Sequence, residues 1–387
     1  MMPSARRIVA AFATVSVIGT LAGLPAAGAS AAGQPAIGGP LMASGGTVVS
    51  YPAHGAWRLP KVPASAYVIA DANTGAVLAA KDPHGLFPPA STLKVLTAIT
   101  LLPRLNPNML VRATKMATSV EPNIVGLVRG REYRVADLFR ALLLISANDA
   151  AVSLVQATGS FTRGMAMINA EAHHLQAYDV VAKQPNGLPA TGQVVSAYDM
   201  ALIARQALAS PAFMRYDSML AARFPVTKRK RVTLVNQNYL LTQYKGGIGG
   251  KIGWTVKAEA TYIGLARRHG VTLIVTILHC TALQEIVAAE KLLNWGFAMV
   301  SHVRAVGTLV PPLQPAKPSP APTSTHQQAR KAHDSPNVSG SLAAGPGTSH
   351  TAQMAIGAAI AAALCAALIG FVRLRRRTAA KKPPTDA

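Results

Sequence analysis

The order of local signals along the chain predicts an α+β fold in which helices cover an antiparallel sheet. A strand pair comes first, near residue 66. A long helical zone fills the middle, and strands with a single helix come last. No internal repeat interrupts that order.

The opening pair is residues 66–70 and 76–80, two apolar runs on either side of Asp71-Ala72-Asn73-Thr74-Gly75. Asn and Gly in so short a turn favour an antiparallel hairpin. After Pro88-Pro89-Ala90, Leu93, Leu96 and Thr97 fall at helical spacing as far as Pro103, and Ser91 stands where an N-cap belongs. Residues 135–145 and 147–158 read as two helices broken at Ser146-Ala147-Asn148, and 161–176 as a third. A loop at Gln184-Pro185-Asn186-Gly187-Leu188-Pro189 precedes a helix capped by Ser196 and reaching Leu208. Strand signals then return at 231–235 and 250–255. A hairpin joins 261–266 to 271–278 across Arg267-Arg268-His269-Gly270, and a last helix covers 283–299.

The two ends give a topology. Arg6 and Arg7 precede an apolar run from Ile8 to Leu24, and small residues follow through Ala31. A basic start, a short apolar core and a small-residue exit predict a secretory signal peptide over 1–31. Ala27-Gly28-Ala29 and Ala29-Ser30-Ala31 fit the cleavage site equally. At the other end, 354–372 carries no charge and is followed by Arg373, Arg375, Arg376 and Arg377. As a helix that run rises roughly 28 Å, enough to span a hydrocarbon core. The arginines hold the tail, 373–387, in the cytoplasm. Residues 311–353, dense in Pro, Ser, Thr, Ala and Gly, predict a disordered tether of roughly 35 Å. Between an extension, 32–65, and that tether lies one globular domain, 66–310. The chain is therefore expected at the cell membrane, single-pass, with its domain outside.

The formal net charge of +23 lies partly in the tail, but the exported body is basic too. Nucleic acid is a poor partner for a secreted body. An anionic wall polymer suits it through long-range attraction, and plain solubility accounts for the charge equally well. Cys365 sits inside the expected span and Cys280 alone outside it, so the two form no intramolecular disulfide. His173 and His174 are adjacent on a helix and point apart, and no His-Glu-x-x-His motif occurs. The reading therefore includes no metal and no cofactor. Cys280 ends an apolar strand and is expected to be simply buried.

Ser91 and Lys94, three apart at a helix start, share one face. A serine hydroxyl needs a base, and a lysine becomes one when burial and nearby cations lower its pKa. Alone the spacing is weak, since a capping serine and a solvated lysine satisfy it. Ser146-Ala147-Asn148 adds a hydroxyl and an amide on a bend. Lys251-Ile252-Gly253-Trp254-Thr255 lies on a strand approached by Gly246-Gly247-Ile248-Gly249-Gly250. Trp254 fits a cleft wall and a packed strand aromatic equally.

Ser-x-x-Lys, Ser-x-Asn and Lys-x-Gly, in that order, follow the pattern of penicillin-binding proteins and related β-lactamases. The region 66–299 resembles the serine D-alanyl-D-alanine carboxypeptidase family, the low-molecular-mass penicillin-binding proteins. Residues 161–172 resemble its Phe-x-x-x-Met-Asn-x-x-Ala helix, with Ile168 where Met is usual. Asn186-Gly187-Leu188 and Ser196-Ala197-Tyr198-Asp199 resemble two further stretches. The resemblance implies a β-lactamase/penicillin-binding transpeptidase-like fold, an antiparallel sheet flanked by helices with a mainly helical subdomain. It also implies roles. Ser91 attacks the D-alanyl-D-alanine carbonyl of a peptidoglycan stem peptide, Lys94 is its base, and Ser146 relays a proton to the leaving amine. Asn148 binds the substrate amide or orients Lys94. Lys251 adds charge near Ser146 and the substrate carboxylate. The backbone N–H groups of Ser91 and Trp254 form an oxyanion hole, and β-lactam antibiotics acylate Ser91.

Ile252 departs from that pattern, which has Thr or Ser there. A hydrogen bond to a charged group contributes about 1.5–3 kcal/mol, so its loss corresponds to roughly ten- to a hundredfold in binding or rate. Thr255, on the Lys251 face by period-2 alternation, is a substitute donor. Two rival readings follow. One is a β-lactamase, for which Glu171 is the only glutamate between the second and third motifs. The other is a catalytically weakened or non-catalytic peptidoglycan-binding relative.

Overall fold

The computed structural model describes residues 36–314. The expected signal peptide, nearly all of the tether, the expected span and the basic tail lie outside them. Among the described residues, no helix is long and apolar enough to cross a membrane.

Strands β1 (Thr47–Val49), β2 (Ala64–Asp71) and β3 (Ala76–Lys81) come first. Two ribbons follow, β4 (Leu110–Arg112) with β5 (Glu132–Arg134), and β6 (Ala221–Pro225) with β7 (Arg231–Val235). Then come β8 (Gly247–Thr255), β9 (Glu259–Arg268), β10 (Val271–Cys280) and the short β11 (Gly307–Thr308). The helices are α1 (Lys94–Leu101), α2 (Lys115–Thr118), α3 (Val135–Leu144), α4 (Asn148–Gln156), α5 (Phe161–His174), α6 (Ala197–Leu208), α7 (Pro211–Asp217), α8 (Leu240–Gln243) and α9 (Glu285–Met299).

The main sheet has the order β1-β3-β2-β10-β9-β8, with β11 also against β3, and every pairing is antiparallel. Strand β2 lies beside β10, with Val68 opposite Thr276. An early and a late segment thus meet in the centre of the sheet, and the helical middle of the chain is an excursion between them. Both faces are covered. Ala66, Val68 and Ala70 of β2, with Ile274 and Leu278 of β10, join the core beneath α6 and α1. Tyr67, Ile69, Leu273, Val275 and Ile277 face α9, where Leu292, Leu293 and Trp295 are buried. Burial on two faces explains why β10 reads as a nearly continuous apolar run rather than an alternation.

The extension also folds onto the body. Met42 is fully buried in the larger core. Trp295 Nε1 donates to Trp57 O at 2.9 Å. His84 lies 2.6 Å from the Asp179 carboxylate and 3.0 Å from Ile37 O. Tyr198 donates its hydroxyl to Thr308 O and accepts from Val310 N. Both ends of the described chain are tied down in this way.

Several expectations meet a different outcome. Ser91 is not a cap. It lies inside a 3-10 turn, Ala90–Leu93, that runs straight into α1. Ser160 and Ser196 do cap, accepting from Arg163 N and Asp199 N. Residues 231–235 form a strand, but in the separate β6–β7 ribbon, whose inward Phe224 and Leu234 are buried against the helical subdomain. Part of the glycine-rich approach to Lys251 is itself strand, since β8 begins at Gly247. Residues without side chains carry no periodicity to announce a strand. Cys280 is fully buried, and burial pushes its thiol up to about 12.

Ile274 lies fully buried in mid-strand β10. Ile274→Ala is expected to lower the unfolding free energy by about 2–5 kcal/mol, read by urea denaturation.

Candidate active site

Ser91 is held by what surrounds its turn. Thr92 and Thr261 both donate their hydroxyls to Pro89 O, at 2.6 and 2.9 Å, and so fix the turn to β9. Gly187 presses in from the loop before α6, at φ +79, where a Cβ would stand 1.7 Å from Ala90 O. Gly253 of β8 presses in from the other side, where a Cβ would stand 2.6 Å from Ser91 N and 2.5 Å from Thr261 Oγ1. Two backbones thus approach the serine more closely than any side chain would permit.

Lys94, one helical turn later, is fully buried. Its Nζ donates to Ser91 Oγ at 2.7 Å, Asn148 Oδ1 at 2.7 Å and Asn186 O at 2.8 Å. Burial, and then the charge of Lys251, hold its pKa well below the ordinary lysine value, while Asp149 opposes them. A neutral amine has two N–H groups and one lone pair. Those two N–H groups keep Asn148 and Asn186, and the lone pair then faces the Ser91 hydroxyl. The arrangement is that of a base poised on a nucleophile.

Ser146 occupies the bend between α3 and α4 at φ +61. Its hydroxyl is buried, makes no hydrogen bond among the described residues, and borders the same cleft as Ser91. Asn148 starts α4. Its amide nitrogen donates to Glu121 O at 2.9 Å, so both ends of the side chain are engaged and its oxygen orients Lys94. Asp149 anchors the cleft wall. Its carboxylate accepts from the backbone N–H groups of Val125, Gly126, Leu127 and Ala150.

The cleft has a volume of about 200 Å³ and is bordered by Ser91, Asn123, Ser146, Asn148, Gly187, Leu188, Gln237 and the strand from Ile252 to Thr255. Trp254 is 43% exposed at this border, so the packed-aromatic alternative does not apply. Thr255 Oγ1 accepts from Ala258 N at 3.0 Å, which leaves its own proton free to donate. Lys251 does not border the cleft. It is buried behind the strand, with its Nζ donating to Ile252 O at 2.7 Å. Burial pulls its pKa down to about 7, and Asp217 works the other way. Asp217 is buried too. It accepts from Gly250 N at 2.6 Å, and burial pushes its carboxyl up to about 7.

The cleft therefore gathers Ser91, Ser146, Asn148, Gly253, Trp254 and Thr255, with Lys94 and Lys251 buried behind it. Sequence reading did not single out Asp149, Asp217, Gln237 or Asn123. Asp149 follows Asn148 directly and looks like an ordinary acid in a helix's first turn. Asp217 and Gln237 sit in stretches with no motif, and only the fold brings them near Lys251 and Ser146. Glu171 is paired with Arg104 on α5 and does not border the cleft, which removes the one glutamate of the β-lactamase reading. His173 and His174 are exposed.

The family profile described as D-alanyl-D-alanine carboxypeptidase matches residues 54–282. The D-alanyl-D-alanine carboxypeptidase DacB2 of Mycobacterium tuberculosis is 36% identical over 261 residues, covering 66% of this chain and 89% of that protein. The Bacillus subtilis D-alanyl-D-alanine carboxypeptidase DacF is 26% identical over 242 residues, 61% of this chain and 62% of that one. The crystal structure of a D-alanyl-D-alanine carboxypeptidase from M. tuberculosis superposes with a TM-score of 0.64 at 36% identity, over 67% of this chain and 99% of that one. A Streptomyces DD-transpeptidase shares the fold, with a TM-score of 0.59 at 24% identity, over 62% of this chain and 99% of that one.

The charges behind the cleft predict a pH profile. Modification of Ser91 by an acylating probe is expected to rise with pH as Lys94 becomes neutral, then fall as Lys251 loses its proton. Asp217 favours the charged form of Lys251, so Asp217→Asn lowers that pKa and moves the falling limb to more acid pH. An unchanged falling limb would show that Asp217 does not act on Lys251.

Proposed function

This chain belongs to the serine D-alanyl-D-alanine carboxypeptidase family, and on that premise we propose that it removes the terminal D-alanine from peptidoglycan stem pentapeptides through an acyl-enzyme on Ser91. The observation that carries this reading is the 2.7 Å contact between a buried, pKa-depressed Lys94 and the Ser91 hydroxyl. Lys94 takes the proton as Ser91 Oγ bonds to the carbonyl carbon of the penultimate D-alanine. The Ser91 and Trp254 backbone N–H groups receive the oxyanion. Ser146, whose hydroxyl has no partner among the described residues, passes its proton to the leaving amine as the C–N bond breaks and D-alanine departs, and takes in its place the proton that Lys94 received. Water then attacks the ester, Ser91 regains its proton, and the shortened peptide leaves.

The terminal carboxylate would lie along β8, within the field of Lys251. Ile252 offers it no hydroxyl, and Thr255, on the same strand with its hydroxyl proton free, is the substitute donor. A β-lactam presents an acylating carbonyl and a carboxylate to the same groups, so penicillin sensitivity belongs to the proposal. Export, with the domain held outside the membrane by residues 354–372, is part of it as well. It rests on the two terminal sequence signals.

Incubation with penicillin is expected to add one adduct mass to the intact protein, mapping to the peptide that contains Ser91. Ser91→Ala should abolish both the adduct and D-alanine release from a stem pentapeptide. Release that persists in that variant would sink the mechanism. Ile252→Thr restores a hydroxyl at the carboxylate site and is expected to raise kcat/KM by roughly ten- to a hundredfold. No change would show that Thr255 already fills the role.

A further inference from the structure

The tip of the β6–β7 ribbon carries Lys228, Arg229, Lys230 and Arg231 in succession, and Arg223 projects from the same outer face. All five are exposed. None of them makes an ion pair or a side-chain hydrogen bond among the described residues. Four adjacent like charges repel one another, yet the ribbon that carries them is firmly mounted. Phe224 is fully buried and stacks on Tyr133 at 5.6 Å. The Tyr133 hydroxyl donates to Val226 O and accepts from Val128 N. At the tip, Thr227 Oγ1 accepts from the N–H groups of both Arg229 and Lys230, and Thr227 N donates to Lys230 O.

The same ribbon leads to the cleft. Strand β7 ends at Val235, and Gln237 borders the cleft beside Ile252. From Arg231 to Gln237 the extended chain covers roughly 20 Å. We propose that this tip is a docking site for a polyanion of closely spaced phosphodiester groups, held roughly 20 Å of chain from the cleft border at Gln237 while a peptide of the same wall occupies the cleft. Arginine's planar fork suits phosphate in particular. A membrane surface is the poorer partner. With no exposed apolar side chain among them to insert, Lys228 to Arg231 hold an anionic bilayer only by surface attraction, about 1 kcal/mol per cation and screened by salt. The mounting fixes the backbone that carries the cations and so lowers the ordering cost of engaging a repeating polyanion to that of the side chains.

The proposal rests on the carboxypeptidase reading only for the identity of the neighbouring substrate, because the binding measurement needs no activity. The full-length chain is compared with its K228Q/R229Q/K230Q/R231Q variant on immobilised poly(glycerol phosphate), on polygalacturonate and on phosphatidylglycerol vesicles. A K61Q/K115Q/K183Q/K291Q variant removes the same charge from exposed sites elsewhere. Four counterion-releasing contacts give roughly a fiftyfold loss of affinity between 50 and 200 mM salt. The tip variant is expected to lose that salt dependence and to bind at least about tenfold more weakly to the poly(glycerol phosphate). The control variant should bind like the parent, and all three proteins should turn over a small soluble peptide alike. Equal binding by tip and control variants would overturn the proposal, and so would a defect confined to the vesicles.

Discussion

The amine of Lys94 sits where three segments far apart in the chain converge. The turn before α1 supplies Ser91, the bend before α4 supplies Asn148, and the loop before α6 supplies the carbonyl of Asn186. A lone ammonium in such a place would cost many kcal/mol of lost hydration. Here the cost is met in two ways: every polar direction of the nitrogen has a partner, and its pKa falls so that the neutral form is within reach. Burial therefore brings a neutral amine within reach, 2.7 Å from the Ser91 hydroxyl. The same burial requires the three segments to be assembled before any chemistry is available.

That assembly depends on close backbone approach. The turn bearing Ser91 is bounded by Gly187 and Gly253, and each stands where a methyl group would collide with backbone atoms. Strand β8, the last strand on its side of the sheet, brings Gly253 this near. Its free edge forms the cleft wall rather than pairing with another strand. An open edge is a liability in most proteins. Here it faces a cleft that Ser146 and Asn148 of the helical subdomain also border.

Around the serine the charges are layered by depth. Lys94 and Lys251 are both buried, and the charge of Lys251 makes the Lys94 proton easier to lose. Asp149 and Asp217, equally buried, work the other way on Lys94 and Lys251 respectively. Farther out, Lys and Arg outnumber Asp and Glu about two to one over the described residues, and the β6–β7 tip concentrates that excess. The inner layer sets protonation at the site. The outer layer acts over longer range on whatever polymer lies nearby.

The local pattern of the sequence was enough to place Ser91 and Lys94 on one face and to break a helix at Ser146. It was also enough to pair two hairpins and to end the fold with a helix over an apolar sheet. Those features depend on spacing, and helical or strand periodicity encodes spacing directly. The folded chain decided that Ser91 lies within a turn rather than capping a helix. It also placed Lys251 behind the strand instead of in the cleft, and brought Asp217 and Gln237 beside it from stretches with no motif. Desolvation and long-range contact depend on what arrives from elsewhere in the chain. Neighbouring residues cannot report that, and so the chemical character of Lys94 was settled in three dimensions.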